Sequence, residues 1–389
     1  MSRMEQEMEQ HLKEKLIPFW EGLRDEHFGG FYGYMDYDLK LNREAAKGVI
    51  LNSRILWFFS NAFLVLGEAR LLNYAEHAWK FLRDVCVDRK FGGVYWSMTF
   101  DGEVEDETKH TYNQAFAIYA LASYFDASGD KQALQLAYEL FDLIESRCRD
   151  EIGYGEAYDR EFHPASNEKL SENGVMASRT MNTLLHVFEA YTELYRVEPQ
   201  EKTAQKLREI LDTFADKIYN PKKCRQEVFF DDAWNSLIDL HSYGHDIETS
   251  WLIDRGCQVL GECSYTEKMK PITTALAAEI YDWAYADHSI LNECENGTDN
   301  TDRIWWVQAE GIVGFLNAWE QQGCEKYRQA AEDIWEYVKA CFIDSRAGAE
   351  WFWRVDAAGK PVEGEPIVES WKCPYHNGRM CLEVMKRRK

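Results

Sequence analysis

The chain has 389 residues, 46% hydrophobic and 14% aromatic, enough for a large core, and a formal net charge of −23. So acidic a surface repels phosphate backbones and anionic headgroups, which argues against nucleic acid or membrane as partner and leaves a neutral substrate unhindered. The ten cysteines show no C-x-x-C pair and no framework spacing. They read as free thiols in a reducing compartment. With no signal peptide in the first 20 residues and no apolar run long enough to span a bilayer, the expected location is cytoplasmic.

In chain order, twelve helices are predicted, separated by short Gly- and aromatic-rich segments. A charged, amphipathic helix near 3–21 precedes Phe28-Gly29-Gly30-Phe31-Tyr32. The stretch 49–67 is apolar nearly all round, through Ile55-Leu56-Trp57-Phe58-Phe59, yet contains Arg54. Burying a permanent cation without an anion is costly, so Arg54 either pairs structurally or faces a substrate oxyanion. An amphipathic helix at 70–86 follows, then Phe91-Gly92-Gly93-Val94-Tyr95, then an apolar helix at 111–125 opening with Tyr112. After an amphipathic helix at 130–146 and Gly153-Tyr154-Gly155-Glu156 comes the longest irregular insertion, 160–173, a candidate lid.

The next apolar helix, 175–194, carries Asn182 and His186 four residues apart on one face. They form either a satisfied core pair or part of a site. An amphipathic helix at 199–218 places Ala204, Leu207, Ile210, Leu211, Phe214 and Ile218 at helical spacing. Beyond Glu227-Val228-Phe229-Phe230, a helix at 245–261 opens with Gly244-His245-Asp246-Ile247-Glu248. His245 and Glu248 are three apart and share a face, where a carboxylate can orient an imidazole. Trp251, three further on, is a sugar platform or packing. A zinc pair of His241 and His245 is the weaker reading, because His241 precedes the helix and no third ligand is placed.

A helix near 268–285 leads to Ile290-Leu291-Asn292-Glu293 and to an apolar helix at 305–319. There Glu310 lies four residues beyond Trp306, an aromatic face beside a hydroxyl acceptor. An amphipathic helix at 325–342 and Ala349-Glu350-Trp351-Phe352-Trp353 precede the last helix, 374–386. Pro374 is expected in its first turn, with His376 at its mouth and Trp371 just outside.

With Phe31, Val94, Gly155, Val228, Leu291 and Trp351 as anchors, the interrupting segments recur roughly every 60 to 73 residues, the mark of a repeat. That period and the alternation of apolar with amphipathic helices fit an all-α (α/α)6 barrel of six inner and six outer helices, with hairpin-like loop pieces and a single catalytic domain over 1–389. Such a ring aims all inner helix starts at one place. Three histidines, an arginine and aromatic platforms, without a phosphate loop or metal cluster, suit proton transfer at a carbon next to a carbonyl, such as C2 of an open sugar. Imidazole titrates near pH ~6.5 and can both take and return a proton. A glycoside hydrolase using Glu248 and Glu310, with Glu156 or Asp231-Asp232 in reserve, is an alternative that leaves three histidines idle. A sugar- or protein-binding module without turnover, and a monosaccharide epimerase or aldose–ketose isomerase, also remain open.

The stretches Ser242-Tyr243-Gly244-His245-Asp246-Ile247-Glu248, Trp305-Trp306-Val307-Gln308-Ala309-Glu310 and Trp371-Lys372-Cys373-Pro374-Tyr375-His376-Asn377-Gly378-Arg379 resemble the cellobiose 2-epimerases of the N-acylglucosamine 2-epimerase superfamily. Asn182-Thr183-Leu184-Leu185-His186 and Lys109-His110-Thr111-Tyr112-Asn113-Gln114 extend the resemblance along the whole chain. It implies an (α/α)6 barrel, a small-molecule substrate such as cellobiose, lactose or a cello-oligosaccharide, a monomer, no cofactor and no metal. The implied reaction is ring opening and a cis-enediolate, with His245 and His376 as the acid/base pair at C2. Glu248 would support His245, and Arg54 and His186 would stabilise the enediolate oxygens. Tyr112 and Asn182 would bind hydroxyls. Trp306 and Trp371 would stack on the sugar, with Trp251 and Glu310 nearby.

Overall fold

The computed structural model describes residues 3–171 and 173–387. Twelve helices form among them: α1 (Arg3–His11, running on through Leu12–Leu16 into Ile17–Glu21), α2 (Val49–Leu66), α3 (Ala69–Phe81), α4 (Thr111–Ser128), α5 (Lys131–Leu143) and α6 (Met181–Val197). They continue as α7 (Glu201–Thr213), α8 (Tyr243–Leu260), α9 (Cys263–Glu279), α10 (Trp305–Gln322), α11 (Glu325–Tyr337) and α12 (His376–Lys386). Several starts differ from the sequence expectation, and α9, expected from 268, begins five residues earlier at Cys263. The helix expected from 175 begins at Met181, because Thr180 is extended and its side chain caps the N–H of Thr183. The last helix begins at His376, so Pro374 precedes the first turn instead of lying in it.

The helices fall into two compact units. The terminal unit comprises Met8–Arg179, Ala347–Glu350 and the residues from Pro366 on; the mid-chain unit comprises the residues up to Glu7, Thr180–Arg346 and Trp351–Glu365. In the terminal unit, α2 and α4 are buried without a break from Val49 to Ala62 and from Thr111 to Tyr124, and α2 packs on both α4 and α12. In the mid-chain unit, α8 packs on α6 and α10, all three buried nearly all round. The intervening helices bury one stripe: α7 buries Thr203, Ala204, Leu207, Ile210 and Leu211 and wets the rest. A helix apolar all round belongs inside, and an amphipathic one covers it. Among the described residues α2 is, against the sequence expectation, long and apolar enough to cross a membrane, yet most of it is packed inside the fold.

Each repeat uses the same local devices. Helices α3, α5, α7, α9 and α11 each end in one five-residue π turn, whose last residue (Cys86, Cys148, Ile218, Ala284 or Phe342) is buried. The wider turn adds a residue and swings that side chain inward. A short antiparallel pairing follows, as in Val87 with Val94 or Ile343 with Trp351. The two residues leading into an inner helix then pair with the next repeat's hairpin: Lys47–Gly48 with Ser97–Met98, Lys109–His110 with Ala157–Tyr158, and Arg303–Ile304 with Arg354–Val355.

A polar pin locks each anchor to its helix. The fourth residue of α4, Gln114, accepts the N–H of Val94 at 2.6 Å and donates to its carbonyl at 2.8 Å. Gln308 of α10 does the same for Ile290, and Asn52 of α2 accepts the N–H of Phe31. Two residues before the helix a buried cation is paired, Lys47 with Asp25 at 2.6 Å and Lys109 with Asp88 at 3.2 Å. Burial works against ionised Asp88, but Arg160, the N–H groups of Lys90 and Phe91, and Lys109 hold its carboxyl well below the usual range.

Candidate active site

In the terminal unit the focus is Arg54, the sixth residue of α2 and only 2% exposed. Its guanidinium donates to Tyr112 Oη at 2.9 Å and lies 3.5 Å from the Trp371 carbonyl and 3.7 Å from Cys373 Sγ. The Phe116 and Tyr375 rings sit 4.1 and 4.8 Å from it. No carboxylate pairs with it among the described residues, and its Nε has no hydrogen-bond partner. Aromatic faces attract a cation without neutralising it, so this charge is left for an anion. Trp371 is half-buried, its turn shaped by Glu369, whose Oε1 accepts the N–H groups of Trp371 and Lys372 at 2.6 and 3.0 Å. His376 opens α12, buried, with its ring 4.6 Å from that of Tyr375.

In the mid-chain unit the focus is His245, the third residue of α8. Its Nδ1 is 2.7 Å from Ser242 Oγ, and its ring lies 4.8 Å from the Trp306 ring. Withdrawal from water, and then the positive potential of His186, hold its pKa down to about 3 against the pull of Glu310, so the ring is neutral near neutrality. His186 Nδ1 is 2.9 Å from Glu189 Oε2, both groups buried. Glu310 accepts the Trp251 indole N–H at 3.0 Å. Gly244 lets Trp306 come this close, because a Cβ there would overlap the Trp306 ring.

Within the mid-chain unit the structure thus brings His186, His245, Trp306 and Glu310 together, and within the terminal unit Arg54, Tyr112 and Trp371. Two expectations are corrected. Glu248 was to orient His245, but the partner of Nδ1 is Ser242; Glu248 is fully buried on the same helix. Trp251 was to bind substrate, but it is 2% exposed with its N–H given to Glu310, so it supports that carboxylate and offers no stacking face. Asn182 is half-buried as the second residue of α6. His241 precedes α8 as expected and is held by Asp246 at 2.8 Å.

Sequence reasoning missed Ser242, Glu189, and the cage of Phe116, Tyr375 and Cys373. Glu189 stands three residues after His186, the same spacing that drew attention to His245 and Glu248. The candidate lid is tethered within the terminal unit: Arg160 reaches Asp88 at 2.8 Å and Tyr95 Oη at 3.0 Å, and Lys169 reaches Asp106 and, at 2.7 Å, Thr108. Residue 172 of that segment lies outside the described residues.

Residues 30–377 match the N-acylglucosamine 2-epimerase (GlcNAc 2-epimerase) family. The chain belongs to this family. Among its relatives, a cellobiose 2-epimerase from Ruminococcus albus is 49% identical over 381 residues, covering 98% of both chains. A solved sugar epimerase from a ruminal bacterium is 49% identical at a TM-score of 0.98, covering 99% of both chains. The solved cellobiose 2-epimerase from Bacillus thermoamylovorans is 43% identical at a TM-score of 0.97, covering 100% of both. The fold class of this family member is the all-α (α/α)6 barrel expected from the repeat.

Proposed function

We propose that this chain is a carbohydrate epimerase that inverts C2 of the reducing-end glucose of β-1,4-linked disaccharides, converting cellobiose to glucosyl-mannose and acting likewise on lactose. The observation that carries the reading is the neutral His245 imidazole beside His186 and against the Trp306 ring, a base set at an aromatic face. The full-length similarity to cellobiose 2-epimerases supports the choice of substrate.

In this reading the reducing-end ring opens to the aldehyde. One of His245 and His376 takes the C2 proton, and the C–H bonding pair moves toward the carbonyl, giving a cis-enediolate. The negative charge on oxygen is met by Arg54 and His186, an electrostatic term of the kind that dominates such reactions. The other histidine returns a proton to the opposite face of C2, so one C–H bond breaks, one forms and nothing is oxidised. Tyr112 and Asn182 hold hydroxyls, Trp306 and Trp371 hold rings, and Glu310, anchored by Trp251, accepts from a hydroxyl. Glu248 acts as a buried support on α8. The chemistry calls on no metal or cofactor, and the reading takes the chain as one catalytic domain, monomeric and cytoplasmic.

The test is cellobiose incubated in deuterium oxide. Deuterium at C2 of an intact glucosyl-mannose is expected; release of free glucose would replace the epimerase with a hydrolase, and a ketose product with an isomerase. His245→Ala and His376→Ala should each lower turnover at least about a hundredfold, the usual range for lost acid/base catalysis, with helix content unchanged.

A further inference from the structure

One aromatic ring of the terminal unit, that of Trp96, is not used by the reaction just described. Trp96 follows the anchor pair Val94-Tyr95 and is fixed by its backbone: its N–H donates to the Asp106 carbonyl at 3.1 Å, and its carbonyl accepts from Val49, the first residue of α2, at 3.0 Å. Its ring lies 6.0 Å from Trp371 at 61°, and Trp371 lies 5.8 Å from Tyr112, which holds Arg54. The guanidinium lies 5.9 and 6.0 Å from the Tyr112 and Trp371 ring centres alike, and Trp96 extends this cluster from Trp371. His110 packs against Trp96 at 4.6 Å. Lys169, from the tethered segment, places its ammonium 5.0 Å from the Trp96 ring centre while bonding Asp106 and Thr108.

Donor bookkeeping separates this cluster from ordinary packing. Trp96 and Trp371 are both only half-buried, and among the described residues neither indole N–H has a protein partner. An ammonium has three donors, and Lys169 directs two to Asp106 and Thr108, leaving one unspent. A half-exposed aromatic face with unspent donors at its edge suits a pyranose ring, which presents C–H groups to the face and oxygens to the donors.

We propose that Trp96, with Lys169 above it, holds the second sugar ring of the substrate, the ring beyond the one that reacts, and so sets the preference for a disaccharide over a monosaccharide. This rests on the epimerase reading. The reducing-end ring lies toward Arg54 and Tyr112, and Trp371, which touches both Tyr112 and Trp96, adjoins the two positions. Arg160 and Lys169 hold the segment down on Asp88 and Asp106, which keeps the Lys169 ammonium beside the Trp96 ring. Trp96 touches no reacting atom; its contribution is binding.

The test compares wild type with Trp96→Leu, Trp96→Phe and Lys169→Met, reading deuterium exchange at C2 of cellobiose and of glucose. Trp96→Leu should raise the KM for cellobiose about tenfold with kcat within about twofold, and lower the cellobiose-over-glucose ratio of kcat/KM by the same factor, about 1.4 kcal/mol. Lys169→Met should move KM in the same direction by a smaller factor. Equal losses on both sugars, or a fall in kcat at unchanged KM, would show a structural role and overturn the assignment. If Trp96→Leu does not fold, Trp96→Phe decides: it keeps a ring but loses the N–H, so a modest rise in KM supports the proposal and an unchanged KM ends it. No exchange at C2 of cellobiose by the wild type would instead remove the epimerase reading itself, a failure distinct from this one.

Discussion

At the scale of single residues, the neutral histidines connect site chemistry with stability. Burial first, and then His186, hold His245 down to about 3, and burial with Lys169 holds His110 down to about 4. Both are lower in the folded chain than the ordinary ~6.5 of the unfolded one. Between those limits the unfolded chain binds more protons, so stability rises with pH there. It is fully present above about pH 6.5 and drains away as pH falls toward 4. The melting temperature should therefore drop on acidification from pH 7 to 5, and His110→Gln should flatten that drop, because it removes one imidazole that the fold must keep uncharged. An identical pH dependence in wild type and His110→Gln would contradict the assignment. Carboxylates titrate in the same window, so the difference between the two proteins is the informative quantity.

At the scale of elements, two glycines of α8 do different work. Gly261 ends the helix with φ +73° and has nothing within 4 Å of a would-be Cβ. Gly261→Ala therefore carries only the left-handed backbone cost of about 1 kcal/mol and should leave activity intact. Gly244 lies in the first turn beside Trp306 and Val307, where a Cβ would overlap both. Gly244→Ala keeps a good helix former in the helix yet pushes the Trp306 ring away from His245. The KM for cellobiose should rise several-fold with the circular dichroism unchanged, whereas normal kinetics would mean that the ring relaxes without consequence. The same helix thus tolerates a methyl at one end and not at the other, for reasons of space and not propensity.

At the scale of the whole molecule, the buried cations ahead of the inner helices tie each loop to its repeat. Lys47 and Asp25 are both inaccessible, and Asp25 also accepts the N–H groups of His27 and Phe28. Lys47→Met should cost about 3–5 kcal/mol in urea unfolding, because it strands a buried carboxylate. Arg303→Met should cost distinctly less, since its acidic partner Asp287 is 92% exposed and can rehydrate. Equal costs would show that the pairing geometry, and not the stranded charge, sets the energy. The repeat, the helix alternation and the positions of His245, His376 and Arg54 were legible in the sequence, because they depend on spacing along one chain, and spacing is what a helix converts into a face. The partners were not legible. His186 with Glu189 and His245 with Glu248 share one spacing; the first is a hydrogen-bonded pair, whereas Ser242 takes the Nδ1 of His245 that Glu248 was expected to orient. Trp251 and Trp306 are equally aromatic in sequence, yet one is sealed behind Glu310 and the other left half-open. The sequence by itself determined which helix carries each polar group. Only the tertiary structure decided which of those groups meet, because packing against other helices sets the rotamer of each side chain, and the rotamer chooses among partners even three residues away.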